Sequence, residues 1–184
     1  MASSEKGFSL VETMVALAVL TVGVLGAAGV LSAGMQNLSS SPSDVIVTQK
    51  AAQAVEAVFS ARDSHKLTWA QIRNVKGGSG SDNGIFLDGP QPLYTPGPDG
   101  LVNTADDGTP GGPNYETIVL PGKDQMLNTA DDQTIKLTGF TREIAIRDVP
   151  NENGDLRSIV VTVTYQNGPT KRTYTLTTFI SAYS

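Results

Sequence analysis

A long apolar run near the start dominates the hydropathy pattern of the chain. No charged side chain occurs between Glu12 and Asp44, and the sequence from Met14 to Leu31 reads MVALAVLTVGVLGAAGVL. Continued to Met35, the run would form about 33 Å of helix at roughly 1.5 Å per residue, enough to cross a hydrocarbon core of about 30 Å. The pattern predicts a membrane-spanning helix. The alternative is a buried core helix, which a domain of this size has little room to cover on every side.

The residues that follow this run have the period of an amphipathic helix. Their apolar positions are Val45, Ala52, Val55, Val58 and Phe59. The spacing predicts two collinear helical halves, 8–38 and 42–62, of which the first is apolar and the second amphipathic. The sequence NLSSSPSD between them leaves two alternatives open. Either Ser41 caps a new helix with Pro42 at its first position, or Pro42 kinks one long helix.

The last third of the chain has the two-residue period of β-strands. The clearest run alternates through Ile159, Val161, Val163 and Tyr165. Asn167-Gly168 then gives a strong hairpin signal, a second strand runs on through Ile180, and a third precedes them from Phe140 to Val149. This order predicts an antiparallel meander. The fold class is therefore α+β, with a long N-terminal helical spine packed on a C-terminal antiparallel sheet.

Composition excludes several classes of function. The chain has 184 residues, with 18 acidic against 13 basic side chains and a net charge of -5, which makes it a poor candidate for wrapping nucleic acid, since that requires a basic surface. The absence of cysteine excludes disulfides, thiolate nucleophiles and zinc–thiolate sites. The single histidine, His65, leaves almost nothing for a Ser-His-Asp triad or a multi-histidine metal site. With no nucleophile–base pair or phosphate loop in the sequence, we expect a protein that is not an enzyme.

The first residues form a motif together with the apolar run. The leader MASSEKG ends in Gly7 and is followed by FSLVE. The segment EKGFSLVETMVALAVLTVGVLGAAG resembles the leader and first helix of the type IV prepilins. This resemblance, which covers about the first 35 residues, implies that a prepilin peptidase cuts after Gly7 and methylates the new terminus, Phe8. It also implies that Glu12 meets the terminal amine of a neighbouring subunit.

A carboxylate at the edge of an apolar helix is costly, which makes Glu12 a functional candidate on physical grounds as well. If an N-terminal ammonium and the Glu12 carboxylate enter an apolar filament core together, each offsets the cost of burying the other. Such a pair also requires one axial stagger, so it would set the register of assembly. The alternative is that Glu12 lies at the membrane edge among lipid headgroups. Lys6 in the leader fits a cytoplasmic N-terminus under the positive-inside rule.

The resemblance also implies an organisation and a role. Residues 1–7 would be the leader, 8–38 the transmembrane and assembly helix, and 39–184 a periplasmic or extracellular globular domain, which makes the α+β fold pilin-like. The chain is most similar to minor pilins of the pilus-modification group, PilV, which are structural subunits of type IV pilus-like filaments. The alternatives are a pseudopilin of a type II secretion system and a filament subunit that binds DNA or another adhesion ligand.

Partners and location follow from the same resemblance. The expected partners are other pilin subunits, bound through the N-terminal helix, and the prepilin peptidase. The precursor would be a single-pass protein of the inner membrane with a cytoplasmic N-terminus. After cleavage and assembly it would lie in a filament at the cell surface or in the periplasm.

An acidic repeat lies in the middle of the chain. Residues 96–107 read PGPDGLVNTADD and residues 121–132 read PGKDQMLNTADD, and with eight of twelve positions identical the two segments are copies of one unit. Each copy supplies four oxygen-bearing side chains: Asp99, Asn103, Asp106 and Asp107 in the first, Asp124, Asn128, Asp131 and Asp132 in the second. Calcium takes about six to eight oxygen ligands and is favoured by concentrated negative charge. The repeat therefore predicts calcium binding, with one shared ion or two separate ions left open.

Capped turns are the alternative interpretation of the repeat. Thr104 can cap a short helical turn with Asp107 at its third position, and Thr129 can do the same with Asp132. Asp and Asn are also ordinary turn formers because their side chains bond to nearby backbone groups. The spacing of the acids does not match the EF-hand loop.

Overall fold

The computed structural model describes residues 7, 9–78, 80–108, 114–167 and 170–183. The chain divides into two compact units, Met1–Pro42 and Ser43–Ser184. Helix α1, Leu10–Asp63, contributes residues to both units. The remaining elements all belong to the second unit.

The part of α1 in the first unit is apolar and exposed. The stretch Leu10–Met35 is 26 residues long, sufficiently apolar to cross a membrane, and its most apolar window is 0% buried. The alternative of a buried core helix is therefore wrong. The hydroxyl of Thr21 lies 2.9 and 2.8 Å from the carbonyl oxygens of Leu17 and Ala18, so its proton is bonded within the helix. A hydroxyl satisfied in this way enters an apolar phase at lower cost than a free one.

The helical backbone continues through Pro42, at the boundary of the two units. Of the two alternatives, the structure has the single long helix, which extends from Leu10 to Asp63, and not a new helix capped by Ser41. A proline removes a single i→i−4 hydrogen bond, while the residues on both sides retain theirs. Local sequence alone could not decide between these outcomes, because Ser-Pro is equally typical of a helix start.

A four-stranded antiparallel sheet forms the base of the second unit. The strands of the chain are β1 (Gln91–Pro92), β2 (Thr117–Leu120), β3 (Gln133–Lys136), β4 (Phe140–Asp148), β5 (Leu156–Asn167) and β6 (Thr170–Ser181). The sheet has the order β1-β4-β5-β6, whereas β2 and β3 pair separately. The predicted meander of three strands is confirmed, with Ile144 opposite Val161 and Asn167 opposite Thr170. Gly168 of the predicted turn lies outside the described residues.

Helix α1 packs on this sheet through a stripe of mostly small residues. Its buried side chains are Val47, Ala51, Ala54, Val58 and Ala61, and they share one core with the inward residues of β4 and β5. The predicted stripe agrees fully only at Val58, since Val45 is 65% exposed and Ala52 is also exposed. Alanine allows a helix to approach a sheet closely, but it contributes little to a hydropathy pattern. The sequence therefore placed the amphipathic helix correctly, although the buried stripe is shifted and Val55 and Phe59 pack against the core only partly buried.

Candidate functional site

The start of α1 lies close to the predicted cleavage point. Gly7 is exposed, Phe8 lies outside the described residues, and the helix begins at Leu10. The hydroxyl oxygen of Ser9 accepts a hydrogen bond from the backbone N–H of Glu12 at 3.2 Å, which makes Ser9 the N-cap. A cut after Gly7 would therefore leave this cap on the mature chain. The role of Ser9 was readable from Ser-x-x-Glu but was not identified in the sequence.

Glu12 occupies the first turn of α1, and its side chain is exposed. A negative charge at this position interacts favourably with the positive end of the helix dipole. Within the described part of the chain Glu12 makes no ion pair. Its pairing with a neighbouring subunit stays a prediction.

The two acidic repeats form two separate loops of the same conformation. In the first, Asp99 Oδ1 accepts from the Leu101 N–H at 2.8 Å and Asp107 Oδ2 accepts from the Asn103 N–H at 2.6 Å. The second repeats both bonds, Met126 N–H to Asp124 Oδ1 at 2.9 Å and Asn128 N–H to Asp132 Oδ2 at 2.7 Å. The asparagine has a positive φ in both copies, 61° at Asn103 and 67° at Asn128. Sequence identity between the repeats therefore extends to their geometry.

A threonine hydroxyl stands at the centre of each loop. Thr104 Oγ1 lies 2.8 Å from Asp106 Oδ1 and 3.2 Å from Asp107 Oδ1. Thr129 Oγ1 lies 2.8, 3.3 and 3.4 Å from Oδ1 of three carboxylates, which belong to Asp131, Asp132 and Asp124. One of the two bonds expected for a capped turn is present in each copy, since the Thr104 N–H donates to Asp107 Oδ2 at 3.4 Å and the Thr129 N–H donates to Asp132 Oδ2 at 3.3 Å.

A glycine permits this closure in both copies. A Cβ at Gly97 would lie 2.3 Å from Asp106 Cγ, and a Cβ at Gly122 would lie 2.2 Å from Asp131 Oδ2. Neither position has room for a side chain, because the aspartate folds directly over the backbone. Glycine is therefore required on steric grounds at this position of both repeats.

The surroundings of the two loops differ sharply. In the first, Leu101 and Val102 are 3% and 7% exposed and belong to the core, whereas Met126 and Leu127 at the same positions of the second are 63% and 56% exposed. The Asn103 carboxamide donates to the Arg142 carbonyl at 2.7 Å and accepts from Arg142 Nε at 2.9 Å. In the part of the chain that the structure describes, the Asn128 carboxamide has no such partner.

A buried charge network joins the first loop to the rest of the unit. Arg142 is 1% exposed, and its Nη1 lies 3.2 Å from Glu116 Oε1. Glu116 Oε2 lies 2.6 Å from Lys50 Nζ on α1. Among the described residues Arg142 Nη2 has no hydrogen-bond partner. Burial lowers the pKa of Arg142, and the negative charges of Glu116 and Asp107 oppose this fall without cancelling it. Sequence analysis missed this network, since its members come from four distant segments.

The pKa values of the loop carboxyls reflect their positions. Burial raises the pKa of Asp107 above its ordinary value, although backbone N–H groups of Asn103 and Thr104 oppose the rise. Burial acts in the same direction on Asp106, but hydrogen bonds from Thr104 and Asp99 outweigh it and lower that pKa. In the exposed loop the hydroxyl of Thr129 lowers the pKa of Asp131. On balance the charged form is thus disfavoured at Asp107 and not at Asp106 or Asp131.

The two acidic loops differ in how well their candidate ligands could bind calcium. Among the described residues, no group of three or more His, Cys, Asp or Glu side chains is arranged to hold a metal ion. The Asn103 carboxamide is already engaged by Arg142, whose charge also acts on Asp107. The second loop has three carboxylate oxygens around one hydroxyl, which supplies a single proton, and a free Asn128 carboxamide. The second loop therefore offers the better set of oxygen ligands for calcium. Calcium binding itself stays a prediction.

Comparison with known proteins identifies the N-terminal motif. Residues 2–28 match the family described as "Prokaryotic N-terminal methylation motif". Neither the curated proteins nor the solved structures give a match to the chain. The chain therefore carries the methylation motif of prokaryotic prepilin-type proteins on an apolar helix, which supports a membrane-anchored subunit of pilin or pseudopilin type. The motif defines a structural, pilin-type family and not an enzyme family.

Proposed function

We propose that the chain is a minor subunit of a type IV pilus-like filament, similar to the pilus-modification group PilV. The observation that carries this proposal is the methylation motif over residues 2–28, which overlaps an exposed apolar stretch, Leu10–Met35. The precursor is held in the inner membrane with its N-terminus in the cytoplasm. After cleavage it joins other pilin subunits through α1 and reaches the cell surface.

We propose that the second unit serves contacts with other proteins and not catalysis. It presents a helix-on-sheet body with an acidic loop on its surface. A type II secretion pseudopilin is the main alternative, because it shares the N-terminal motif. Fractionation separates the two proposals, since a pilus subunit is recovered in filaments sheared from the cell surface and a pseudopilin remains in the periplasm. Binding of DNA is disfavoured by the acidic repeats, which repel phosphates.

Leader cleavage tests the proposal directly. Mass spectrometry of the protein from its native membrane should show a chain that starts at Phe8 with a methylated amine. Gly7→Leu should leave the leader attached, because a peptidase that reads a glycine there has no room for a branched side chain. An intact Met1 on the unaltered protein, or a cut at another bond, would contradict the proposal.

We also propose that calcium binds to the second acidic loop. An ion that binds only the folded chain stabilises it by about 2.7 kcal/mol at one hundred times its Kd. The full chain in detergent should therefore melt at a higher temperature in millimolar calcium than in chelator. Magnesium should substitute poorly, because it requires a smaller octahedral shell.

Matched variants in the two loops locate the ion. Asp124→Ala should abolish the difference between calcium and chelator, whereas Asp99→Ala, the same change in the first loop, should preserve it. An equal melting temperature in calcium and chelator for the unaltered chain would leave both loops as capped turns. Loss of the difference in both variants would indicate one ion shared by the two loops.

A further inference from the structure

The β2–β3 hairpin projects from the second unit, and Ile118 is its one side chain that packs against the core, where it is partly buried. No residue from 117 to 136 is buried, although Glu116 and Leu137 on either side of this segment both are. The hairpin is fixed at its base, where the Leu137 N–H donates to the Glu116 carbonyl at 2.9 Å and the Glu116 N–H donates to the Leu93 carbonyl at 2.8 Å. We call the segment 117–136 the arm. Its tip is the second acidic repeat.

The arm carries an unusual share of exposed apolar side chains. In the described part of the second unit, five of the nine large apolar residues that are exposed lie on it: Val119, Leu120, Met126, Leu127 and Ile135. Two strands alone are marginally stable in water, because they have no second layer to cover them. A concentration of apolar surface on such an element is typical of a binding site.

The first repeat shows which groups contact a loop of this conformation when the loop is packed against the core. Leu101 and Val102 enter the core, the Asn103 carbonyl accepts from the Leu87 N–H at 2.7 Å, and the Asn103 carboxamide pairs with Arg142. The surface that receives this loop therefore consists of aliphatic side chains, the backbone N–H of Leu87 and the Arg142 side chain next to its own carbonyl. In the second repeat Met126, Leu127 and Asn128 occupy the equivalent positions, and none of these contacts is made within the described chain.

From this comparison we infer that the arm is a docking element, and that its partner is a different protein subunit which presents an arginine beside an aliphatic patch. The charge of the loop fits such a partner, because three aspartates accompany one lysine over residues 121–132. Docking of this arginine and calcium binding are alternatives at Asn128, because its carboxamide cannot serve both at once. A second copy of the chain does not fit, since its own first repeat already fills the surface around Arg142. The inference rests on the proposed function only for the expectation that this partner is a neighbouring subunit of the filament.

Site-specific photo-cross-linking in the native host tests the inference. A photoreactive residue in place of Leu127 of the full chain should link to a second, non-identical protein, and the linked peptide should contain or adjoin an arginine. The matched control is the same probe at Phe179, which is 57% exposed and lies on β6, outside the arm. It should not link to that protein.

A double variant separates docking from a structural role. Met126→Asp with Leu127→Asp should leave the melting temperature unchanged, because both side chains are exposed in the free chain. With the probe moved to Gln125, the same variant should lower the linked fraction by at least about tenfold, as loss of a central apolar anchor does in protein interfaces. A fall in melting temperature would show that the pair packs on its own subunit and would overturn the inference.

The remaining outcomes are also decisive. Linking to a second copy of the chain, equal linking from Phe179, or no protein link in a correctly cleaved chain would each overturn docking by the arm. The mass of the same sample reports the state of the leader. A chain that keeps its leader but still links through Leu127 would contradict the proposed function and preserve the inference.

Discussion

Replacing Glu12 by alanine should remove the chain from filaments while leaving membrane insertion and leader cleavage intact. In the isolated chain Glu12 is exposed in the first turn of α1, so the change costs the fold little. In an assembled filament it would leave the partner ammonium buried without a counter-charge, and breaking a buried pair costs about 3–5 kcal/mol. At about 1.4 kcal/mol per factor of ten, incorporation should fall by at least about a hundredfold.

Quantitative mass spectrometry of sheared filaments, normalised to the amount of cleaved chain in the membrane, measures this effect. Glu12→Gln should behave like the alanine variant, because it keeps the shape of the side chain and removes only the charge. Glu56→Ala is the matched control, since Glu56 is an exposed glutamate on the same helix. Normal incorporation of the Glu12 variants would return this residue to a position among lipid headgroups.

A second large effect is expected at Glu116, the acid shared by Arg142 and Lys50. Replacing Glu116 by leucine leaves the Arg142 guanidinium, which is 1% exposed, without its counter-charge. Loss of one partner from a buried pair destabilises by about 3–5 kcal/mol. For a domain of this size each kcal/mol lowers Tm by roughly 2–4 °C, so we expect a fall of about 10 °C in thermal unfolding followed by circular dichroism.

Two further variants test the cause of that loss. Glu152→Ala removes an exposed glutamate and should change Tm by less than a degree or two, in keeping with surface substitutions generally. Glu116→Leu combined with Arg142→Met should recover part of the lost stability, because an apolar pair can replace a buried ion pair at little cost. If the single Glu116 variant melts like the unaltered chain, the network has no structural role.

The parts of the structure that were predictable are those encoded by neighbouring residues. The apolar stretch Leu10–Met35 and the alternation through Ile159 and Val161 each follow from a local period, and both are confirmed. One capping bond in each acidic repeat follows from Thr and Asp at fixed spacing, and it is present. The methylation motif is equally local, which explains why it was identified from the first residues alone.

The parts that were missed depend on residues far apart in sequence. Buried Arg142 meets Asn103 and Glu116, and Glu116 in turn pairs with Lys50. No local pattern predicts that these residues come together. The buried stripe of α1 was shifted, since a close helix–sheet contact selects alanines that a hydropathy pattern underweights. The two copies of the repeat could not be told apart either, because Leu101 and Met126 differ less in chemistry than in what lies next to them.

Each acidic loop closes through its own side chains, and this has a consequence for how such a chain acquires new parts. The positions that differ between the copies are 98, 100, 101 and 102 against 123, 125, 126 and 127, and their side chains make none of the hydrogen bonds described for the loops. A segment that needs no support from its surroundings can be duplicated into a hairpin and still fold there. One copy then continues to hold the core together, while the other is free to change the residues that face outward.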